Sequence, residues 1–179
     1  MASRDLYPRA IKHLIGEDLL PPFPAVLAVG PGGCGKSTPL GKFADNTLDM
    51  SLPGIRLAAT EGPDGVLETA AGVVFIDEGQ ELPEVLSAVK RAVDNDAARQ
   101  TGRFIVTGSV RARHQATTWP GTGRFIRVRM FGLTQTELET DGRYNPINSF
   151  FASDPPRFGP SDLSRNDYLD RIDSSRVRA

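Results

Sequence analysis

Apolar positions in this 179-residue chain follow two rhythms that alternate along its first three quarters. Ile11, Leu14, Ile15, Leu19 and Leu20 recur every three or four residues, which predicts an amphipathic helix across residues 5–20, ended by Pro21, Pro22 and Pro24. Ala25–Val29 is then a continuous apolar run, short enough for a buried strand. Leu40, Phe43 and Ala44 mark the buried face of a following helix, in which Pro39 fits only in the first turn. Residues 45–70 are punctuated by Gly and Pro, with a short strand expected at Met50-Ser51-Leu52 and a helical turn at Gly65–Thr69. Gly72–Ile76 reads as a second strand covered on both faces. Pro83 opens a helix whose stripe is Val85, Leu86, Val89 and Val93. Arg103–Thr107 and Arg124–Met130 read as a third and a fourth strand.

Strands that alternate with helices imply an α/β fold with a mainly parallel sheet and helices on both faces. From about Asp141 the chain turns polar, rich in Asp, Arg, Ser and Pro. Residues 1–140 are therefore expected to form the core, and 141–179 a peripheral tail, partly helical or disordered. Its helical stretch is Ser164–Ile172, with Ser164 as N-cap, Asp167 three residues on, and Tyr168 and Ile172 one turn apart.

Into this pattern falls Gly30-Pro31-Gly32-Gly33-Cys34-Gly35-Lys36-Ser37, a full match to the phosphate-binding pattern G-x-x-x-x-G-K-[ST], placed between a strand and a helix. Glycines let the backbone wrap closely around phosphate oxygens, with its N–H groups turned inward. Lys36 is expected to reach the β- and γ-phosphates of a nucleoside triphosphate, and the Ser37 hydroxyl to ligate Mg2+. The candidate nucleotide-binding residues are Gly30, Pro31, Gly32, Gly33, Cys34, Gly35, Lys36, Ser37 and Thr38. Val73–Ile76 delivers Asp77 and Glu78 to the C-terminal edge of the sheet, where parallel sheets bind ligands. There Asp77 would support Mg2+ through a water, and Glu78 would orient or deprotonate the attacking water. Thr107 and Ser109, at the tip of the third strand, are candidate γ-phosphate sensors that alternation alone does not separate.

Charge adds one feature. The formal net charge is −1, yet no Asp or Glu lies between Ala97 and Thr136, a span holding Arg99, Arg103, Arg111, Arg113, Arg124, Arg127 and Arg129. A solvated basic face and a phosphate-contacting surface both fit this run. Arg124 is the best placed to oppose charge on a transferring phosphoryl group, within the chain or on a neighbouring subunit. Cys34 is the lone cysteine, so no internal disulfide forms, and a reducing, cytoplasmic setting is expected. No membrane span or signal peptide is read. His13 and His114 have no partners at metal-ligand spacing, and Trp119 reads as a packing residue.

The ordered string of motifs resembles the predicted AAA-type ATPases of bacteria and archaea, in which an ATPase core precedes a C-terminal domain. The resemblance covers residues 5–140: Tyr7-Pro8-Arg9, Gly30–Thr38, Ile76–Gln80, Pro83–Leu86, Val89-Lys90-Arg91 with Val93-Asp94, Gly102–Ser109, and Leu133-Thr134 with Glu137-Leu138. It implies a P-loop core of three layers, ATP with Mg2+ as ligand, Glu78 as the water-activating residue and Thr107-Gly108-Ser109 as sensor. It further implies that Gly123-Arg124 corresponds to a Gly-Arg pair of that family, and that Gln80 is a relay or a helix cap. The chain departs from the family at Gly32-Gly33, where Arg-Gln is usual, and at Pro39 and Pro53. It also stops at Ala179, so it is expected to be a C-terminally truncated member.

The expected function is that of an ATP-binding AAA-like domain hydrolysing ATP slowly with Mg2+, as a switch or motor unit, in a homo-oligomer or alone. The alternative is a non-hydrolysing nucleotide-binding module, a remnant of a longer ATPase, that contacts protein or nucleic acid through the arginine-rich span 99–129. A small P-loop kinase fits less well, since Glu78 would then have no task.

Overall fold

A computed structural model describes residues 9–109, 123–134, 137, 164–167, 169 and 170. An inner strand of its sheet is β1 (Ala25–Gly30), all of whose residues are buried. Residues alternate across a pleated strand, so Ala25, Leu27 and Val29 enter one core and Val26 and Ala28 the other. That double burial is why the run is apolar throughout.

The sheet has five strands in the order β2-β3-β4-β1-β5, and all four pairings are parallel. The others are β2 (Asn46–Asp49), β3 (Val74–Asp77), β4 (Phe104–Ser109) and β5 (Phe125–Arg129). Along one face run α3 (Pro53–Glu61), α4 (Pro63–Thr69) and α5 (Glu84–Asn95), which bury Ala59, Leu67, Val85, Leu86 and Val89 against Leu27, Val74, Ile76, Phe104 and Val106. Along the other, α1 (Ala10–His13) continues as a π-helical stretch at Leu14–Leu19, and α2 (Ser37–Leu40) follows the loop after β1. These bring Ile15, Leu20 and Leu40 onto Val26, Phe75 and Ile105. The result is a three-layer α/β sandwich, in which each fully buried large aliphatic or aromatic side chain contributes about 1.5–3 kcal/mol.

Several sequence expectations shift. The second strand in chain order is Asn46–Asp49 rather than Met50-Ser51-Leu52; Met50 is a buried turn residue and Leu52 is half exposed. As an edge strand, β2 pairs with β3 alone and keeps polar residues, so no apolar pattern announces it. The helix α3 was not foreseen; Pro53 occupies its first turn, where a missing N–H does no harm. The helix after the loop is shorter than expected. α2 spans four residues and passes into a 3-10 turn at Gly41–Phe43, with Pro39 inside the first turn. Ala44 is already extended, because Asp45 and Asn46 donate their N–H groups to the Val73 carbonyl and pull the chain into β2.

The helical turn expected at Gly65–Thr69 begins two residues earlier, at Pro63. In α5, Val85, Leu86 and Val89 are buried as the stripe predicts, and Val93 is partly so. In the tail, Ser164 caps residues 165–167 reciprocally: its N–H and hydroxyl donate to Asp167 Oδ2 at 2.9 and 2.6 Å, and the Asp167 N–H returns to Ser164 Oγ at 3.2 Å. The core boundary at residue 140, Tyr7-Pro8, Arg111, Arg113, His114, Trp119, Leu138, Tyr168 and Ile172 lie outside the described residues.

Candidate functional site

The strand order sets the site. β4 lies between β1 and β3, so the loop after β1, the β4 tip and the Asp77-Glu78 pair after β3 come to one sheet edge.

The loop is shaped by two constraints. Gly30 packs so tightly against the residue leaving β5 that a Cβ there would lie 2.4 Å from the Met130 carbonyl oxygen. Gly33 and Gly35 take φ of 73° and 77°, a left-handed conformation that L side chains rarely adopt. Between them Cys34 is buried, while Pro31, Gly32, Gly33, Ser37 and Thr38 are exposed. The Lys36 ammonium lies along the loop and donates to the carbonyls of Pro31 at 2.9 Å and Gly30 at 3.3 Å. A lysine that is 4% exposed and held by two carbonyl dipoles and the Cys34 sulfur, with no acidic partner among the described residues, is a positive charge suited to an anion.

At the neighbouring tips a hydrogen-bonded chain joins the acidic pair to β4. Thr107, fully buried, donates its hydroxyl to Asp77 Oδ1. The Glu78 N–H donates to Thr107 Oγ1 and to Asp77 Oδ1, both at 3.1 Å. Glu78 has φ of 53°, a left-handed conformation that costs a non-glycine residue on the order of 1–2 kcal/mol. Its carboxylate accepts from Gln80 Nε2, and Gln80 Oε1 accepts the Ser109 N–H at 2.9 Å. Thr107 and Ser109, inseparable by sequence, are thus distinguished: the first engages Asp77 directly, the second reaches Glu78 through Gln80.

Lys36, Ser37, Asp77, Glu78, Thr107 and Ser109 are therefore borne on adjacent strand ends at one edge. Arg124 is not. It precedes β5, whose first residue pairs with Ala25, so it stands at the opposite edge. There its Nε forms an ion pair with Asp94 Oδ1 of α5. The intervening length of β1, at about 3.3 Å per residue, is roughly 17 Å. The other described arginines of the span also disperse. Arg103 lies over the Phe104 ring at the start of β4, Arg99 is exposed after α5, and Arg127 and Arg129 are exposed on β5. Among the described residues no group of three or more His, Cys, Asp or Glu gathers to hold a metal ion, and no helix is long and apolar enough to cross a membrane.

Sequence reasoning gave Arg9 and Glu137 no role, yet both are buried beside the loop. They lie 128 residues apart in the chain, so no local spacing links them.

A parallel α/β sheet with a glycine-rich loop after an inner strand, and acidic residues two strands away at the same edge, is the fold of P-loop nucleoside triphosphatases. Within that class the chain belongs to the AAA domain family, whose model matches residues 22–139. A comparison with curated proteins gave no match. Family membership places the chain among nucleotide-binding, ATPase-like proteins.

Proposed function

We propose that this chain binds ATP with Mg2+ at the loop 30–38 and hydrolyses it slowly, as a switch or motor unit. The observation that carries this reading is the chain of hydrogen bonds from Asp77 through Thr107 to the Glu78 backbone, with Gln80 holding the Glu78 carboxylate. A surface Asp-Glu pair needs no such framework. Loop and acidic pair also share one sheet edge, and the donor set fits the ligand: one buried ammonium, exposed backbone of a left-handed glycine loop, one hydroxyl and two carboxylates.

In this reading Lys36 turns from the carbonyls of Gly30 and Pro31 to the β- and γ-phosphates. The Ser37 hydroxyl and the Asp77 carboxylate would hold the metal. Mg2+, when bound, neutralises charge on the phosphate oxygens. Glu78 orients a water and takes its proton, and Gln80 keeps the carboxylate facing the site.

The non-hydrolysing alternative has one observation in its favour: Arg124 is paired with Asp94 at the far edge, so within the chain it does not oppose charge at the loop. Under the hydrolytic reading Arg124 would act on a neighbouring subunit.

Steady-state turnover of MgATP by the purified chain, beside Glu78→Gln, separates these. Turnover in the native chain that is lost in the variant is the expected result. ATP bound without turnover in either protein would establish the binding module instead.

A further inference from the structure

Arg9 precedes α1, is 9% exposed, and divides its guanidinium among three acceptors. Nε donates to Glu137 Oε1 at 3.1 Å, Nη1 to the Cys34 carbonyl at 2.8 Å, and Nη2 to the Phe131 carbonyl at 2.8 Å. Cys34 is inside the phosphate-binding loop, whereas Phe131 and Glu137 belong to the segment that leaves the sheet after β5. Glu137 is saturated in turn. Its Oε1 also accepts the Ala10 N–H at 2.9 Å, and its Oε2 accepts the Thr134 N–H at 2.9 Å and the Thr134 hydroxyl at 3.1 Å. Burial alone would raise the Glu137 pKa, but the Thr134 and Ala10 N–H groups and the Arg9 charge outweigh it and hold the group below its ordinary range.

A buried ion pair is weak evidence for a stabilising role. Here the geometry says more. A trans peptide is planar, with its C=O and N–H pointing opposite ways, and the described chain has no cis bonds. Once Arg9 draws the Cys34 carbonyl to itself, the Gly35 N–H must point away from Arg9. Independently, Met130 of the same exit segment crowds Gly30 and donates its N–H to the Val29 carbonyl at 2.7 Å. The segment after β5 therefore bears on the loop at its start, Gly30, and through Arg9 at its middle, Cys34.

We propose that Arg9 is a positioning residue for the phosphate-binding loop, held in place by Glu137, and that the pair ties the loop's backbone to the segment following β5. The proposal deepens the nucleotide reading and rests on it. Lysine cannot replace arginine, since one ammonium does not present a planar fork to three separate acceptors. A displacement of Phe131 or Glu137 would reach the loop through the same fork.

The test is backbone 15N relaxation on the full chain, native and Arg9→Lys, with Glu137→Gln as the second variant, together with ATP affinity for each. In the native protein the amides of Gly33–Gly35 should be as ordered as those of β1, with order parameters near 0.85. In either folded variant they should drop below about 0.6 while β1, β3 and β4 stay rigid. ATP should bind about tenfold more weakly, the worth of one hydrogen bond to a charged group. Unchanged loop order overturns the proposal. So does loss of order spread evenly through the sheet, which would give Arg9 a general packing role, and so does a loosened loop with undiminished ATP affinity. If the native chain binds no ATP, the nucleotide reading falls, whereas the order parameters still report whether Arg9 holds the loop.

Discussion

Thr107 reaches from β4 to β3 and donates its hydroxyl to Asp77, while its oxygen receives the Glu78 N–H at 3.1 Å. One side chain thus satisfies a carboxylate and a backbone donor at the edge where the loop also lies. Thr107→Val keeps the shape but leaves both groups short of a partner, and should cost about 1–3 kcal/mol in urea unfolding. Under the hydrolytic reading it also lowers turnover, and Thr107→Ser, which restores the hydroxyl, should recover most of both losses. Equal stability of the valine variant and the native protein would show that the hydroxyl is dispensable.

Gly30 has no room for a side chain, because the obstructing atom is the Met130 backbone carbonyl rather than a flexible side chain. Gly30→Ala should destabilise the fold by about 1–3 kcal/mol through overpacking. Gly32, around which nothing lies within 4 Å, should accept alanine with little change. Denaturation midpoints of the two variants make the comparison, and similar midpoints would contradict the crowding.

Glu78 holds a left-handed conformation while its carboxylate accepts from Gln80. Both Glu78→Ala and Glu78→Gly remove that carboxylate, but only glycine relieves the backbone. The glycine variant should therefore be the more stable of the two by about 1 kcal/mol, and under the hydrolytic reading both should lose turnover. A less stable glycine variant would argue that the backbone carries no strain here.

The Arg9–Glu137 pair gives a pH signature. Glu137 has a folded pKa below its ordinary value near 4.5, so its ionised form contributes stability that is fully present above that value. The contribution shrinks as the pH falls below that value and is gone once the pH has passed the lower, folded value. Glu137→Gln leaves Arg9 buried without a counter-charge and should cost roughly 3 kcal/mol at neutral pH. Unfolding midpoints should show this gap between native and variant constant from neutral pH to about 5 and narrowing at more acid pH. A gap that widens on acidification would reverse the assigned sign.

Lys36 is held by two loop carbonyls and is almost wholly buried. Lys36→Ala should abolish measurable ATP binding, since the loop loses its one point charge. Retained affinity by titration calorimetry would remove Lys36 from the nucleotide site.

The β1, β3 and β4 strands were legible because parallel strands buried on both faces must be apolar at every position, and such runs stand out. The loop was legible because left-handed backbone at Gly33 and Gly35 and the contact at Gly30 demand glycine. Asn46–Asp49 left no trace, since an edge strand with one partner is free to be polar. The helix at Pro53–Glu61 was hidden for a related reason: it buries only Ala59, too little for a periodic stripe.

The candidate site divides along the same line. Lys36 and Ser37 could be named from the chain because they close a loop pattern after β1, and Asp77 and Glu78 because they end the apolar run of β3; local sequence carries that information. By itself the sequence determined the fold class, the loop and the acidic pair, all consequences of steric and burial constraints that act within a few residues. Only the tertiary structure decided that Thr107 meets Asp77 across 30 positions and Arg9 meets Glu137 across 128, and that Arg124 stands at the wrong edge to join them. Those relationships depend on the order and direction of the strands, which pairing between distant segments sets and no local spacing records.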